Sequence, residues 1–511
     1  MAKRKSLITI SLAVFITFCI LTTIYLISIN AKRNDSIASN SENNNIGTNL
    51  KETKLTFYFE AQEQSIKEIL NQVESKANLN AKLDFKFITE DTVGYLSEIK
   101  NIIASGQPCD AFYYSAQFSE DLRSLVNDKI AKDISKAFPQ YAPDYYNKLS
   151  KQEKSLISVD GKIYAVPNRM PSTQMRCAFV REDLMKKYNI PDIKSYDDYE
   201  IFLKTIKQYE NDIIPMTYAD SSIGLFAEAN GYVILNYRQG LVYKWNDPDM
   251  KLLAWEQTPE FKKGIETISS WFAKGYLAKD CPTVQIDQNV LLSGKWASAI
   301  SVFGSDIEYF NYSLVNKNTD WKYKECLLYP DEISARTPQI NNYMVISESS
   351  NNAERALMFV EWLQADQENY DSLMYGIKDK NYALVNDCIK LPENISQNES
   401  YTSWVWRAPF MNIDYERANV SEPVDIIKNY YNTLKEKTKY PPHTGFIPNY
   451  SVVDDIADYR KLSYNSLEQK IYNGTFLPED VEIYINDQKA KGADNLVAEI
   501  QKQLDKWKSE K

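Results

Sequence analysis

Beyond residue 54 the chain alternates short apolar runs with longer stretches whose apolar side chains recur every three or four positions. Residues 55–59 read as a strand, and Ile66, Ile69, Leu70 and Val73 share one face of a helix over 64–77. Residues 83–88 alternate as a second strand, 95–104 continue as a helix ended by Gly106, and 110–114 form a third strand. This order implies a parallel sheet with right-handed crossovers, whose ligands gather at the carboxyl ends of the strands. Those ends carry Glu60, Gln62, Tyr113, Tyr114 and Ser115.

The stretch 159–181 divides the chain. Asp160-Gly161 is a turn signal, 163–166 read as a short buried strand, and Pro167 stops its ladder by lacking a backbone donor. Residues 168–176 are polar and 177–180 are apolar again, so the chain leaves one packed unit, crosses an exposed bridge and enters another. The αβ pattern then resumes. Ser195 caps a helix with Asp198 at its third position, and 213–218 form a strand ending at Asp220-Ser221-Ser222. Pro259 opens a helix that Gly275 closes, and 297–303 form a strand closed by Gly304-Ser305-Asp306. A third stretch holds a strand at 343–346 and a helix over 353–366. From Pro392 on the pattern is mainly helical, with Val497, Ile500, Leu504 and Trp507 on one face of the last helix.

The N-terminus is of another kind. Lys3, Arg4 and Lys5 precede an uncharged stretch over 6–31, longer than the roughly 20 apolar residues that span a bilayer. The basic cluster favours a cytoplasmic N-terminus with the remainder exported. A cleaved signal peptide, a lipoprotein signal and an uncleaved anchor all fit. The bulky Phe18 before Cys19, and Cys19's place in mid-run, speak against lipidation, and Lys32, Arg33 and Asp35 separate the small-residue site at Ser36-Ile37-Ala38 from the apolar run. An uncleaved signal anchor is favoured. Residues 32–53 are rich in Asn and Ser and read as a flexible linker.

Composition narrows the chemistry. The net charge of −10, with no basic stripe, argues against nucleic acid as a partner. With one histidine, His443, a multi-His metal site is impossible; its Pro-Pro-His-Thr-Gly setting reads as a rigid turn rather than a buried catalytic position. Six cysteines show no C-x-x-C pair, and the five beyond Cys19 allow at most two disulfides. No phosphate-binding glycine loop occurs, and Asp247-Pro248-Asp249 lacks the spacing of a calcium loop, so no cofactor or metal is expected. The 36 Tyr and 9 Trp supply flat apolar faces with polar tips, suited to half-wet binding surfaces, although a compositional bias accounts for them equally well.

Several motifs in collinear order then carry a resemblance. They are Asp160-Gly161-Lys162-Ile163-Tyr164-Ala165-Val166-Pro167, Val180-Arg181-Glu182-Asp183-Leu184 with Lys187-Tyr188-Asn189-Ile190, Leu292-Ser293-Gly294-Lys295-Trp296-Ala297, and Ala353-Glu354-Arg355-Ala356-Leu357 through Trp362. Each is weak alone; together they resemble the extracellular solute-binding proteins of bacterial ABC importers, family 1 or sugar-binding type. Leu373-Met374-Tyr375-Gly376-Ile377, Asn381-Tyr382 and the C-terminal Lys491-Gly492-Ala493 to Trp507 look like the Firmicute lipoprotein-like subgroup with an extra C-terminal module. The absent lipobox departs from that subgroup.

The resemblance implies a two-lobed, type II periplasmic-binding-protein-like α/β fold that closes on its ligand by hinge motion. Lobe 1 would hold 54–166 with 337–390, and lobe 2 would hold 167–336 with 391–511, including the helical module. It also implies a monomer on the outer face of a Gram-positive-type cell membrane, capturing a carbohydrate for the permease subunits of an ABC transporter. Sugar sites combine aromatic platforms with carboxylates, amides and Arg. Trp296, Trp404 and Trp406 are candidate platforms, and Glu60, Gln62, Tyr113, Arg169, Gln174, Tyr218, Asp220 and Asp306 are candidate polar contacts at strand ends or in the bridge. Core packing explains the former and solvated loops or caps the latter just as simply. Arg169 and Gln174, in the bridge, would feel both lobes. Two rival functions keep the tether: a sensor coupled to a membrane receptor, and an exported glycosidase using two carboxylates, for which no local motif isolates a general acid.

Overall fold

A computed structural model describes residues 50–61, 66–89, 92–115, 121–170, 175–216, 222–277, 293–303, 321–328, 342–392, 407–418, 420, 440–472 and 474–510. The segment 6–31 lies outside them, and among the described residues no helix is long and apolar enough to cross a membrane.

The first packed unit is built on a five-stranded sheet. Its strands run in the order Ala81–Ile88, Thr53–Glu60, Ala111–Ser115, Asn342–Ile346 and Val166–Pro167. The first three are parallel, as the strand–helix alternation predicts, with Thr53 opposite Ala81 and Phe57 opposite Ala111. Helices Lys67–Ala77 and Thr92–Ala104 make the crossovers. Asn342–Ile346 runs antiparallel to its neighbours, returning from the other unit with Asn342 opposite Ser115. Phe57, Phe59 and Phe112 are fully buried, and the Phe57 ring lies 5.3 Å from Phe85 and 5.5 Å from Phe359 on helix Ala353–Leu363. The buried Asp110 carboxylate ties the core's edge by accepting from Thr56 N–H at 2.9 Å, Ser350 Oγ at 2.6 Å and Asn352 Nδ2 at 3.1 Å.

The expected strand at 163–166 is instead two pieces. Ser158–Val159 pairs with Lys162–Ile163 across a turn in which Asp160 (φ 50°) and Gly161 (φ 78°) are both left-handed, the geometry that favours an Asp-Gly hairpin. Val166–Pro167 then joins the central sheet, with Pro167 opposite Tyr343. Pro167 is the last residue of this strand, as expected, and its missing donor is tolerated because the strand is the sheet's edge.

The second unit has a three-stranded antiparallel sheet, Ser298–Phe303, Met175–Arg181 and Tyr323–Cys326. Residues 213–216, expected within a strand, make only isolated bridges, Ile214 to Trp296 and Met216 to Leu277. Ser195 caps helix Tyr196–Tyr209 by accepting from Asp198 N–H at 3.1 Å, while the Asp198 carboxylate accepts from Lys194 N–H. Thr258 and Pro259 open helix Pro259–Ala273, which ends just before Gly275 (φ 68°). A meander of Tyr232–Asn236, Leu241–Lys244 and Leu253–Ala254, not read from the sequence, carries a third core. Into it pack Leu496, Ile500 and Leu504 of the last helix, Ala493–Ser509, with Val497 and Trp507 partly buried beside them.

Among the described residues beyond 392, the helices Asp454–Tyr472, Asp480–Ala490 and Ala493–Ser509 fit the helical expectation, preceded by a 3-10 turn at Ala408–Phe410. One expectation needs correcting: residues 408–411 pack with the first core, not the second lobe, and Phe410 is buried 5.9 Å from the Phe59 ring and 6.1 Å from Phe359. An aromatic pocket between sheet and helix Ala353–Leu363 draws this segment back across more than 300 residues of chain.

Candidate ligand-binding site

The peptide that crosses between the units leaves the first sheet at Pro167 and enters the second at Met175. The carboxyl ends of Thr53–Glu60 and Ala111–Ser115 face the same way as the amino end of Asn342–Ile346. One row at that end of the sheet therefore holds Glu60, Tyr114, Ser115, Asn342 and Asn168. Tyr113, one residue inward, donates its hydroxyl to Asn342 Oδ1 at 2.7 Å. Burial pushes the Tyr113 phenol up to about 12, with a Ser115 hydrogen bond opposing and the Glu60 charge adding to the rise. Tyr114 meets Tyr343 at 5.6 Å between ring centres, the planes tilted by 38°.

Asn168 and Asn342, which the sequence reading did not name, complete the row. Asn168 is 3% exposed, donates its N–H to the Asn342 carbonyl at 3.0 Å and its Nδ2 to the Ala408 carbonyl at 3.0 Å. Its Oδ1 is buried without a hydrogen-bond partner among the described residues. The sequence signal was only their place, one residue after Pro167 and at the mouth of a strand.

Arg169 is held by the first unit. Its N–H donates to the Met411 carbonyl at 2.8 Å, and its guanidinium reaches the Lys148 carbonyl and the Asp414 carboxylate at 3.5 Å each. These contacts lie on the first unit's side of the bridge.

Trp296 lies at the wrong end of its sheet for a ligand platform. Ser298 pairs with Val180 and Phe303 with Met175, so the strand runs toward the crossing peptide and Trp296 sits beyond its far end. There it is 8% exposed, and its carbonyl accepts from the Tyr323 hydroxyl at 3.3 Å. Nearby, Gly294 (φ 73°) leaves room for Trp321; a Cβ on it would fall 1.9 Å from that indole, whose other neighbour is the Arg181 guanidinium, 4.4 Å from the ring centre. The Ser-Gly-Lys-Trp motif is thus a packing device in this region. Gln62, Gln174, Tyr218, Asp220, Asp306, Trp404 and Trp406 lie outside the described residues.

No family model matches the chain. A curated relative, 24% identical over 441 residues that span 84% of this chain and 85% of the relative, is a carbohydrate ABC transporter substrate-binding protein of Streptococcus pneumoniae serotype 4. Among solved structures, the N-glycan transport solute binding protein NgtS from Streptococcus pneumoniae superposes with a TM-score of 0.67 at 20% identity, covering 90% of this chain and all of that one. NgtS has also been solved in complex with Man5GlcNAc. An HMO-binding, ABC-transporter-associated solute binding protein from Bifidobacterium longum infantis gives 0.65 at 15% identity over 89% of this chain and 99% of its own. The fold is that of the two-lobed solute-binding proteins of ABC importers. These relatives are binding proteins, not enzymes.

In a solute-binding fold the sole histidine has structural work. His443 lies in the expected turn but is buried at 6% exposure, and its Nδ1 is 2.7 Å from the Tyr243 hydroxyl of the third core. The same 440–453 stretch touches lobe 1, where Arg123 Nε donates to the Ile447 carbonyl at 3.0 Å and the rest of that guanidinium grips Asp160 at 2.9 Å. Phe446 packs on Trp507 of the last helix. This stretch straps the two lobes together. Among the described residues, Cys109, Cys326 and Cys388 form no disulfide.

Proposed function

We propose that this protein is an extracellular solute-binding protein that captures a carbohydrate, of oligosaccharide class, between its two lobes and delivers it to the permease of an ABC importer. The observation that carries the reading is the row Glu60, Tyr114, Ser115, Asn342 and Asn168, set where parallel strands end and the chain crosses between lobes. Ligands of open α/β sheets collect at such ends, and a cleft between lobes buries most of a small ligand. Hydroxyls, amides and carboxylates in that row match the hydroxyl-rich surface of a sugar, and closure turns occupancy into a shape the permease reads. The stretch 6–31 would hold the protein, as a monomer, at the outer face of the membrane, with 32–53 as tether.

The test is calorimetric titration of the purified full chain, in detergent, with a panel of oligosaccharides that includes mannose-rich N-glycans, milk oligosaccharides and uronate polymers. Saturable binding with a ligand-dependent rise in melting temperature and no change in the sugar supports the reading. Release of shorter sugars, or no binding across the panel, would overturn it.

A further inference from the structure

The strap over residues 440–453 is stiff and is built into the second lobe. Pro441 and Pro442 fix their own φ, Thr444 N–H donates to the Pro441 carbonyl at 2.9 Å, and Phe446 N–H donates to the His443 carbonyl at 2.8 Å. Beyond the His443–Tyr243 contact, the Phe446 ring lies 5.7 Å from that of Trp507. Asn449 exchanges two bonds with Gln503 of the last helix: its N–H donates to Gln503 Oε1 at 2.8 Å, and its carbonyl accepts from Gln503 Nε2 at 2.9 Å. Any movement of lobe 2 therefore carries the strap with it.

Lobe 1 grips the same strap. Gly445 (φ 87°) lies so close to helix Lys151–Leu156 that a Cβ on it would fall 2.7 Å from Ser155 Cβ. Two residues on, the Ile447 carbonyl accepts from Arg123 Nε at 3.0 Å. Arg123 stands on helix Leu122–Asn127, the element that follows strand Ala111–Ser115, whose end belongs to the ligand row. That helix is seated in the first core through Leu122 and Leu125. The other two guanidinium nitrogens take both oxygens of Asp160 at 2.9 Å each, in the hairpin that leads on to the crossing peptide. The Arg123 side chain is 14% exposed, and a forked pair in such a setting holds its geometry better than a single surface contact. One residue thus binds a helix, a turn and the strap.

We infer that Arg123 is a positioning residue for the ligand cleft, which clasps the strap and so fixes the angle between the lobes before ligand arrives. A hinge tied only through its crossing peptide samples many angles, and ligand must then order the lobes as it binds. A second, non-covalent tie removes much of that freedom in advance, so closure on the ligand costs less entropy. The affinity part of the inference rests on the carbohydrate-binding reading above; the effect on the shape of the unliganded protein does not.

The experiment compares the full chain, in contrast-matched detergent, with its Arg123→Ala and Asp160→Asn variants. Small-angle neutron scattering gives the radius of gyration with and without saturating ligand, and calorimetry gives the affinity for the oligosaccharide that the unaltered protein binds most tightly. Asn tolerates the left-handed turn at 160, and Asp160→Asn leaves the Arg123–Ile447 bond in place, so that variant loosens the clasp without threatening the fold. The expected result is a larger unliganded radius in Arg123→Ala, a smaller increase in Asp160→Asn and one liganded radius for all three proteins. Affinity should fall about fivefold or more in Arg123→Ala, as the fraction of molecules with pre-set lobes falls. An unliganded radius unchanged in both variants overturns the inference, as does affinity within about twofold of the unaltered protein or tighter binding by Arg123→Ala, the mark of a latch that holds the lobes apart. Should Arg123→Ala fail to fold, the unliganded radius of Asp160→Asn decides. If no sugar binds, the carbohydrate reading falls, and the unliganded radii still decide the clasp.

Discussion

Arg460 and Glu256 form an ion pair at 2.8 Å with side-chain exposures of 2% and 0%. The remaining guanidinium donors go to the Gln239 carbonyl and to Gln488 Oε1 at 3.2 Å. Glu256 belongs to the body of lobe 2 and Arg460 to the C-terminal module, so this cluster makes the module part of the lobe rather than an appendage. Replacing one partner leaves the other charge buried and uncompensated. Arg460→Met or Glu256→Leu should each cost about 3–5 kcal/mol, whereas the double replacement Arg460→Met with Glu256→Leu should cost less than the sum. Urea unfolding of the four proteins measures this; single-variant losses below about 1 kcal/mol would mean the pair is not buried as described.

Phe410 tests the reassignment of residues 408–411 to lobe 1. Its ring meets Phe59, Phe85 and Phe359. Phe410→Ala should destabilise by about 3–5 kcal/mol and open the chain to limited proteolysis near residue 407. An unchanged unfolding midpoint would place the segment elsewhere.

Gly294 has a left-handed backbone and an indole where its Cβ would be. Gly294→Ala should lose about 1–3 kcal/mol from overpacking, in addition to backbone strain. Combining it with Trp321→Ala should recover the overpacking part but not the strain, a signature readable in a double-mutant cycle of thermal stabilities.

Alkaline pH should weaken the fold. Burial raises the Tyr113 phenol to about 12 and pushes Tyr145, Tyr199 and Tyr343 up as well, while Cys109 and Cys326 rise to about 12. Each of these groups holds its proton more tightly folded than unfolded. Their stabilisation is complete below the unfolded pKa values, about 8.5 for Cys and about 10 for Tyr, and is lost as pH rises through the folded values. Urea midpoints should hold steady to about pH 8 and fall progressively above it; a midpoint that rises between pH 9 and 11 contradicts the burial of these groups.

Much of the fold was legible because its signals are local. The Asp160-Gly161 turn, the Ser195 cap, the Pro259 helix start and the alternation of lobe 1 each express a short-range rule, and the structure realises them. Glu60 and Tyr113 stand at the strand ends that the strand–helix order assigns them. Asn168 and Asn342 carry no motif. They matter only because segments far apart in the chain end beside one another.

The sequence by itself therefore determined the class of the protein: two α/β units, a crossing peptide, and a functional end to the first sheet. Only the tertiary structure decided that Val166–Pro167 joins the central sheet as its edge strand, that Trp296 stands at the far end of its sheet, that residues 408–411 return to lobe 1, and that the C-terminal module holds the turn 236–240. Periodicity records which face of an element is apolar but not which distant face will cover it. That choice is made by long-range packing, where Phe410 and Arg460 find partners more than 200 residues away.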